Sequence, residues 1–147
     1  MRISSDGLAL IEQFEGFSAK PYICPSGWLT IGYGHVIREH EKDALAEGIS
    51  EAQAEALLKQ DISYSERAVS RLIEVGLSQG RFDALVSFTF NLGAGALQRS
   101  TLRRKINRQL HLDVPQELMK WVWGGGRKLP GLVRRRIAES HIYSKSI

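Results

Sequence analysis

Within residues 14–35, FEGFSAKPYICPSGWLTIGYGH, four side chains have the chemistry to make or break bonds: Glu15, Cys24, Thr30 and His35. Glu15 lies between Phe14 and Phe17, at the end of an apolar helical stripe. Three features of that position disfavour its anion. They are burial with the apolar face, the negative end of the helix macrodipole, and Glu12 one turn earlier as a like charge. A carboxyl kept protonated near neutral pH can deliver its proton to a leaving oxygen. An ordinary helix-end glutamate with its head in water has the same spacing, so periodicity alone leaves both readings open. Cys24 with His35 would suit a different chemistry, a thiol made nucleophilic by an imidazole. The plainer reading of His35, and the one preferred, is a structural histidine. Gly32-Tyr33-Gly34 is no dinucleotide fingerprint, because Ile37 stands where a third glycine is needed.

These side chains need elements to hold them. Ser5 or Asp6 can cap a first helix that runs to about Glu15 and stops at Gly16. At ~100° per residue, Leu8, Ile11 and Glu15 share a narrow arc with Leu10 and Phe14 beside it. Residues 20–37 read as extended chain, with Tyr22-Ile23 and Trp28-Leu29-Thr30-Ile31 flanking a turn at Cys24-Pro25-Ser26-Gly27. Arg38 to Gly48 is a surface loop or a short helix. Ser50-Glu51-Ala52-Gln53 has the form of a capping box. It opens a helix whose stripe of Leu58, Ile62, Val69, Leu72 and Ile73 persists to about Val75, some 25 residues and roughly 37 Å. Residues 81–92, RFDALVSFTFNL, are apolar on most faces and predict the central helix of a larger lobe. Further helices are expected near 99–110, 115–123 and 130–143. Trp121 and Trp123 are expected in the core rather than as sugar platforms.

The chain of 147 residues, 43% hydrophobic and 24% charged, has the composition of a globular protein able to bury its own core. Cys24 is its single cysteine, so an intramolecular disulfide is excluded. No apolar run approaches the ~18 residues of a membrane span. Ser4, Ser5 and Asp6 follow Met1-Arg2 where a signal peptide would be apolar. The chain is therefore expected to fold in the cytoplasm. Charge is uneven: residues 1–98 hold 8 basic and 13 acidic side chains, a balance of −5, and residues 99–147 hold 12 and 3, a balance of +9. Such a basic third suits an anionic partner, or is simply a solubilising face.

Glu15, Cys24 after eight intervening residues, Thr30 after five more, and then Ile31-Gly32-Tyr33-Gly34-His35 together carry a resemblance. The set resembles the phage-type lysozymes, the endolysins of glycoside hydrolase family 24, whose pattern is Glu, eight residues, Asp or Cys, five residues, Thr. The similarity continues, in family order, through FDALVSFTFNLGAGAL (82–97) and LPGLVRRRIAE (129–139), so it covers nearly the whole chain. It implies a muramidase that hydrolyses the β-1,4 bond between N-acetylmuramic acid and N-acetylglucosamine, with inversion. By the same resemblance Glu15 is the general acid, and Cys24 and Thr30 hold the attacking water on the opposite face of the sugar. Val36 and Phe90 line the sugar cleft, and His35 pairs with Asp61 on the long helix at the junction of two lobes. No metal or cofactor is implied. Cys24 departs from the usual inverting arrangement, which has a second carboxylate. A thiol of pKa about 8.5 is mostly neutral at pH 7 and a weak hydrogen-bond partner, so positioning water suits it better than full base catalysis.

The expected architecture is thus α+β and mostly helical, a lysozyme-like fold. Residues 1–147 form one domain of two lobes, a small N-terminal one with a β-hairpin and a larger helical one, with the cleft between them and the long helix joining them. The expected partner is the glycan strand of peptidoglycan, met by a monomer and not by a nucleic-acid-binding protein. A holin takes part only indirectly, by opening the membrane so that the protein reaches the wall. The basic C-terminal third adds electrostatic contact with an anionic envelope. One of Arg134, Arg135 and Arg136 is expected to reach back to Glu15. Two rivals remain at this level: a Cys/His amidase or endopeptidase of the same wall, and a non-catalytic basic binding protein.

Overall fold

The computed structural model describes residues 1–145. The chain divides into two compact units, one of residues Ile11–Ser63 and one made of Met1–Leu10 with the chain from Tyr64 onward. The polypeptide passes between them within its first and third helices.

The Ile11–Ser63 unit begins in helix α1 (Ser5–Glu15), which ends where Gly16 turns to a positive φ of 72°. Strands β1 (Ser18–Ile23), β2 (Leu29–Gly32) and β3 (His35–Val36) follow as an antiparallel sheet in the order β1-β2-β3. The charged stretch after β3 forms a 3-10 turn (Glu39–Glu41) and a short helix α2 (Lys42–Leu45). Helix α3 (Glu51–Leu72) then starts on the expected capping box: Gln53 N donates to Ser50 Oγ at 3.2 Å, and Ser50 N to Gln53 Oε1 at 2.8 Å. Ile31, Ile37, Ile49 and Ala54 form the core of this unit, with Leu29, Tyr33, Leu45 and Leu57 packed around them. Gly32 makes that packing possible. A methyl group on it would lie 3.1 Å from Ala54 Cβ, and its φ of +66° is one that side chains resist.

In the other unit the cap of α1 is Ser4 rather than Ser5 or Asp6. Its Oγ accepts from Gly7 N at 3.2 Å, while Asp83 receives both the Ser4 hydroxyl and, at 3.0 Å, the Ser4 amide. Helix α3 stops at Leu72, three residues short of expectation. The Leu72 carbonyl accepts from Arg103 Nε (3.0 Å) and Asn107 Nδ2 (3.1 Å), and Asn107 Oδ1 takes the Glu74 amide at 2.8 Å. These side-chain bonds replace the next helical turn. Helix α4 (Gln79–Leu92) is buried from Phe82 to Thr89, as its all-round apolar pattern predicts.

Beyond α4 come α5 (Ala94–Arg99), which was not expected, then α6 (Thr101–Asn107), a 3-10 turn at His111–Asp113 and α7 (Val114–Leu118), with α6 and α7 shorter than the helices expected near 99–110 and 115–123. Ser100 sets the start of α6 as its cap, its Oγ accepting from Arg103 N at 3.0 Å. Residues 119–123 do not continue α7. The chain instead makes a two-stranded hairpin, β4 (Trp123–Gly124) and β5 (Arg127–Lys128), whose loop residues Gly125 and Gly126 both have positive φ. That turn is open to glycines and closed to most other residues. Trp123 consequently stands 62% exposed, contrary to its expected place in the core, while Trp121 packs edge-on to Phe88 with ring centroids 5.5 Å apart.

Helix α8 (Pro130–Lys145) packs against α4 and brings a buried ionic cluster with it. Arg136 and Glu139 are both fully buried, with Nε to Oε1 at 2.7 Å. Ser87 Oγ donates to Glu139 Oε2 at 2.6 Å, and Arg136 Nη2 donates to Asn91 Oδ1 at 2.7 Å. Burial pushes the Glu139 carboxyl up and the Arg136 guanidinium down, against the attraction between them. Some of the positive charge of the C-terminal third is therefore spent inside the fold. Lys105 likewise bridges Asp113 (3.4 Å) and Glu117 (3.1 Å).

Candidate active site

The β1–β2 hairpin decides which of the four reactive side chains can work together. Gly27 N donates to Cys24 O at 2.8 Å, Cys24 N donates to Trp28 O at 2.9 Å, and Gly27 has φ +89°. This is a three-residue loop closed by a glycine bulge. Its register pairs Tyr22 with Thr30 and Ile23 with Leu29, and β2–β3 pairs Thr30 with Val36 and Ile31 with His35. Side chains directly opposite one another share a face of the sheet, and successive ones alternate. Cys24, Thr30 and Val36 therefore occupy one face. Ile31 and His35 occupy the other, and both are buried.

That alternation removes the Cys/His dyad. His35 is instead clamped at both ring nitrogens, Nδ1 on Asp61 Oδ2 at 2.8 Å and Nε2 on Glu41 at 3.1 Å. All three residues lie within the Ile11–Ser63 unit. The Asp61 partner was expected from the resemblance. Glu41, six residues away across a charged loop, was not foreseen. The hydrogen bond to Asp61 raises the imidazole above its ordinary 6.5, burial opposes this, and Glu41 adds to it. Burial would raise Glu41, but the Arg38 amide and His35 outweigh it and hold that carboxyl below its ordinary 4.5.

The two shifts set a pH window. Protonated His35 contributes stability that is complete below 6.5 and lost as pH rises through the raised value. Ionised Glu41 contributes stability present above 4.5 and lost as pH falls through its lowered value. Thermal melts should therefore show stability declining from mildly acidic to alkaline pH, and Asp61→Asn should flatten that decline. The same substitution should lower the His35 titration midpoint read by NMR. An unchanged midpoint in Asp61→Asn would contradict this account of the pair.

Thr30 is 3% exposed, and its hydroxyl donates to the Trp28 carbonyl at 2.8 Å. It also lies within hydrogen-bonding reach of the half-buried Cys24 thiol. That contact is the largest influence holding Cys24 below its ordinary value, helped by the backbone amides of the turn and opposed by burial. Threonine has one hydroxyl proton, so it serves the Trp28 carbonyl or the Cys24 sulfur at any moment, but not both. While the proton is on the carbonyl, the oxygen lone pairs are available to a water or to the thiol S–H.

Glu15 is the last residue of α1 and is half-buried. Gly34, in the β2–β3 turn, lies against it: a methyl group on Gly34 would sit 3.3 Å from Glu15 Oε1. Gly34 also has a φ of +83°, so both space and backbone ask for glycine here. One turn earlier, burial and a hydrogen bond to Glu55 raise the Glu12 carboxyl. Val36 is 43% exposed beside Thr30. Phe90 belongs to α4 in the other unit and is half-buried. Glu15, Cys24, Thr30 and Val36 thus lie in one unit, with Cys24, Thr30 and Val36 on one sheet face.

Known proteins share this arrangement of sequence and fold. The family model described as Phage lysozyme matches residues 12–139. The endolysin of Acyrthosiphon pisum secondary endosymbiont phage 1 is 38% identical over 99% of this chain and 100% of its own length. The endolysin of Bacillus phage B103 is 39% identical over 97% of this chain, which spans only 54% of that longer protein. Among solved structures, the muramidase domain of SpmX from Asticaccaulis excentricus superposes with a TM-score of 0.86 at 34% identity, covering 97% of both chains. The match from α1 through α8, in order and over nearly the whole length, shows that this chain belongs to the phage lysozyme family.

Proposed function

We propose that this chain hydrolyses the β-1,4 glycosidic bond of peptidoglycan with inversion, using Glu15 as the proton donor and a water held by Thr30 and Cys24. As a phage lysozyme, the protein is a peptidoglycan-degrading muramidase of host-cell lysis. The single observation that carries the finer reading is the shared sheet face of Cys24 and Thr30, with the thiol drawn down by the threonine hydroxyl. Inverting glycosidases need a polar site on the far side of the sugar ring for the incoming water. Thr30 and Cys24 accept hydrogen bonds from that water and hold it as its oxygen attacks, and the proton it sheds passes to bulk water. Glu15 protonates the departing sugar oxygen. A separate holin is taken to open the membrane, and the monomer to be drawn to the anionic envelope by its basic third. Both points carry over from the sequence. Among the described residues no helix is long and apolar enough to cross a membrane.

The thiol sets a testable pattern. Cys24→Ala should lower kcat roughly 10²-fold, the cost of letting the reacting water drift by about an ångström. Cys24→Asp should recover activity to within about tenfold of wild type, because a carboxylate accepts hydrogen bonds from water more strongly than a thiol does. An inactive, folded Cys24→Asp would instead assign the sulfur a role of its own. The stereochemistry can be read directly by proton NMR of a fresh digest. The α anomer should appear first, and initial release of the β anomer would overturn inversion.

A further inference from the structure

The sheet face that holds Cys24 and Thr30 also carries two aromatic rings to which the reading above gives no task. Tyr22 lies directly across from Thr30 on β1, with Val36 on its other side on β3. Trp28 lies directly across from Cys24. Trp28 is 62% exposed and Tyr22 39%, while Ile31 and His35 on the opposite face of β2 and β3 are buried. Leaving an indole in water forgoes the burial that usually holds tryptophan in a fold, and an apolar row on one face marks a surface with a partner. The backbone under the ring is held firmly. The Trp28 carbonyl accepts from Cys24 N at 2.9 Å and from Thr30 Oγ1 at 2.8 Å, and Pro25 and Gly27 fix the turn before it.

The occupant follows from where the row lies. A glycan strand whose scissile bond sits over Cys24 and Thr30 continues along the same face, and there it meets Trp28 and Tyr22. Sugar rings have polar edges and apolar C–H faces, so a flat, rigid ring can cover one without leaving a hydroxyl unpaired. We propose that Trp28, with Tyr22 beside it, is a stacking platform for a sugar unit adjoining the cleaved bond. The proposal rests on the muramidase reading and extends it to binding. Because the ring grips a part of the strand that does not react, its contribution is the same in ground and transition states and appears in KM.

The test measures kcat and KM on purified peptidoglycan for wild type, Trp28→Ala, Trp28→Leu and Trp28→Phe. Truncation of a stacking tryptophan should raise KM about tenfold while kcat stays within about twofold. Trp28→Phe should restore most of the loss, and Trp28→Leu, apolar but not flat, should not. Trp28→Leu also serves if the alanine variant fails to fold. In the inactive Glu15→Gln protein, the indole N–H signal that Trp28→Ala removes should shift as an N-acetylglucosamine–N-acetylmuramic acid tetrasaccharide is titrated in. An unchanged KM in Trp28→Ala and Trp28→Leu, or an indole signal that stays still while the tetrasaccharide binds, would overturn the platform. Absence of new reducing ends from the wild-type protein would overturn the muramidase reading beneath it, and the platform with it.

Discussion

Replacing Glu15 by glutamine should lower kcat on peptidoglycan roughly 10³-fold, within the range that a positioned acid supplies, while leaving the melting temperature near that of wild type. Glutamine keeps the shape and hydrogen-bonding reach of the side chain but has no acidic proton to give to a departing sugar oxygen. The position is well fixed. Gly16 ends α1 immediately after it, and Gly34 leaves space for the carboxyl that any other residue would take. KM should change little, since the lost interaction belongs to the transition state. A Glu15→Gln protein that retains kcat within about tenfold would remove Glu15 from the role of acid.

The second large effect falls on stability. Glu139→Leu should cost about 3–5 kcal/mol in denaturant unfolding, because it strips a fully buried Arg136 of its carboxylate. Asn91 Oδ1 at 2.7 Å, the Trp121 carbonyl at 3.4 Å and the face of the Phe88 ring, 5.2 Å away, are too little to offset the desolvation of a cation. The double replacement Arg136→Met with Glu139→Leu should recover part of the loss, since it removes that pair but leaves the buried Arg135, 3.5 Å from Glu139, with its bonds to Ser87. If the single and double variants are equally destabilised, the pair is not what makes the α4–α8 packing sensitive.

How far the sequence anticipated this structure depended on the range of the interactions involved. Local signals read correctly: the Gly16 stop, the Ser50–Gln53 box, and the all-round apolar α4 are set by neighbours a few residues apart. The spacing of Glu15, Cys24 and Thr30 carried the family, and the hairpin turn explains why Cys24 and Thr30 meet. What was missed needed partners far along the chain. Ser4 rather than Ser5 caps α1 because Asp83 fixes it, and α3 stops early because Arg103 and Asn107 claim the Leu72 carbonyl. Trp123 looked like core because aromatic side chains are usually buried, but the glycine pair after it folds the chain into a hairpin. Nothing local marks Arg136 and Glu139, three residues apart on one helix, as an interior pair. Only the packing of α8 on α4 buries them.

If Glu15 gives the proton that cuts the glycan strand, its loss must abolish new reducing ends. The most direct measurement is mass spectrometry of purified peptidoglycan after digestion by wild type and by Glu15→Gln. Fragments ending in reducing N-acetylmuramic acid are expected from the wild type and none from the variant. Anhydro ends, freed peptides on an intact glycan, or equal digestion by both proteins would contradict this.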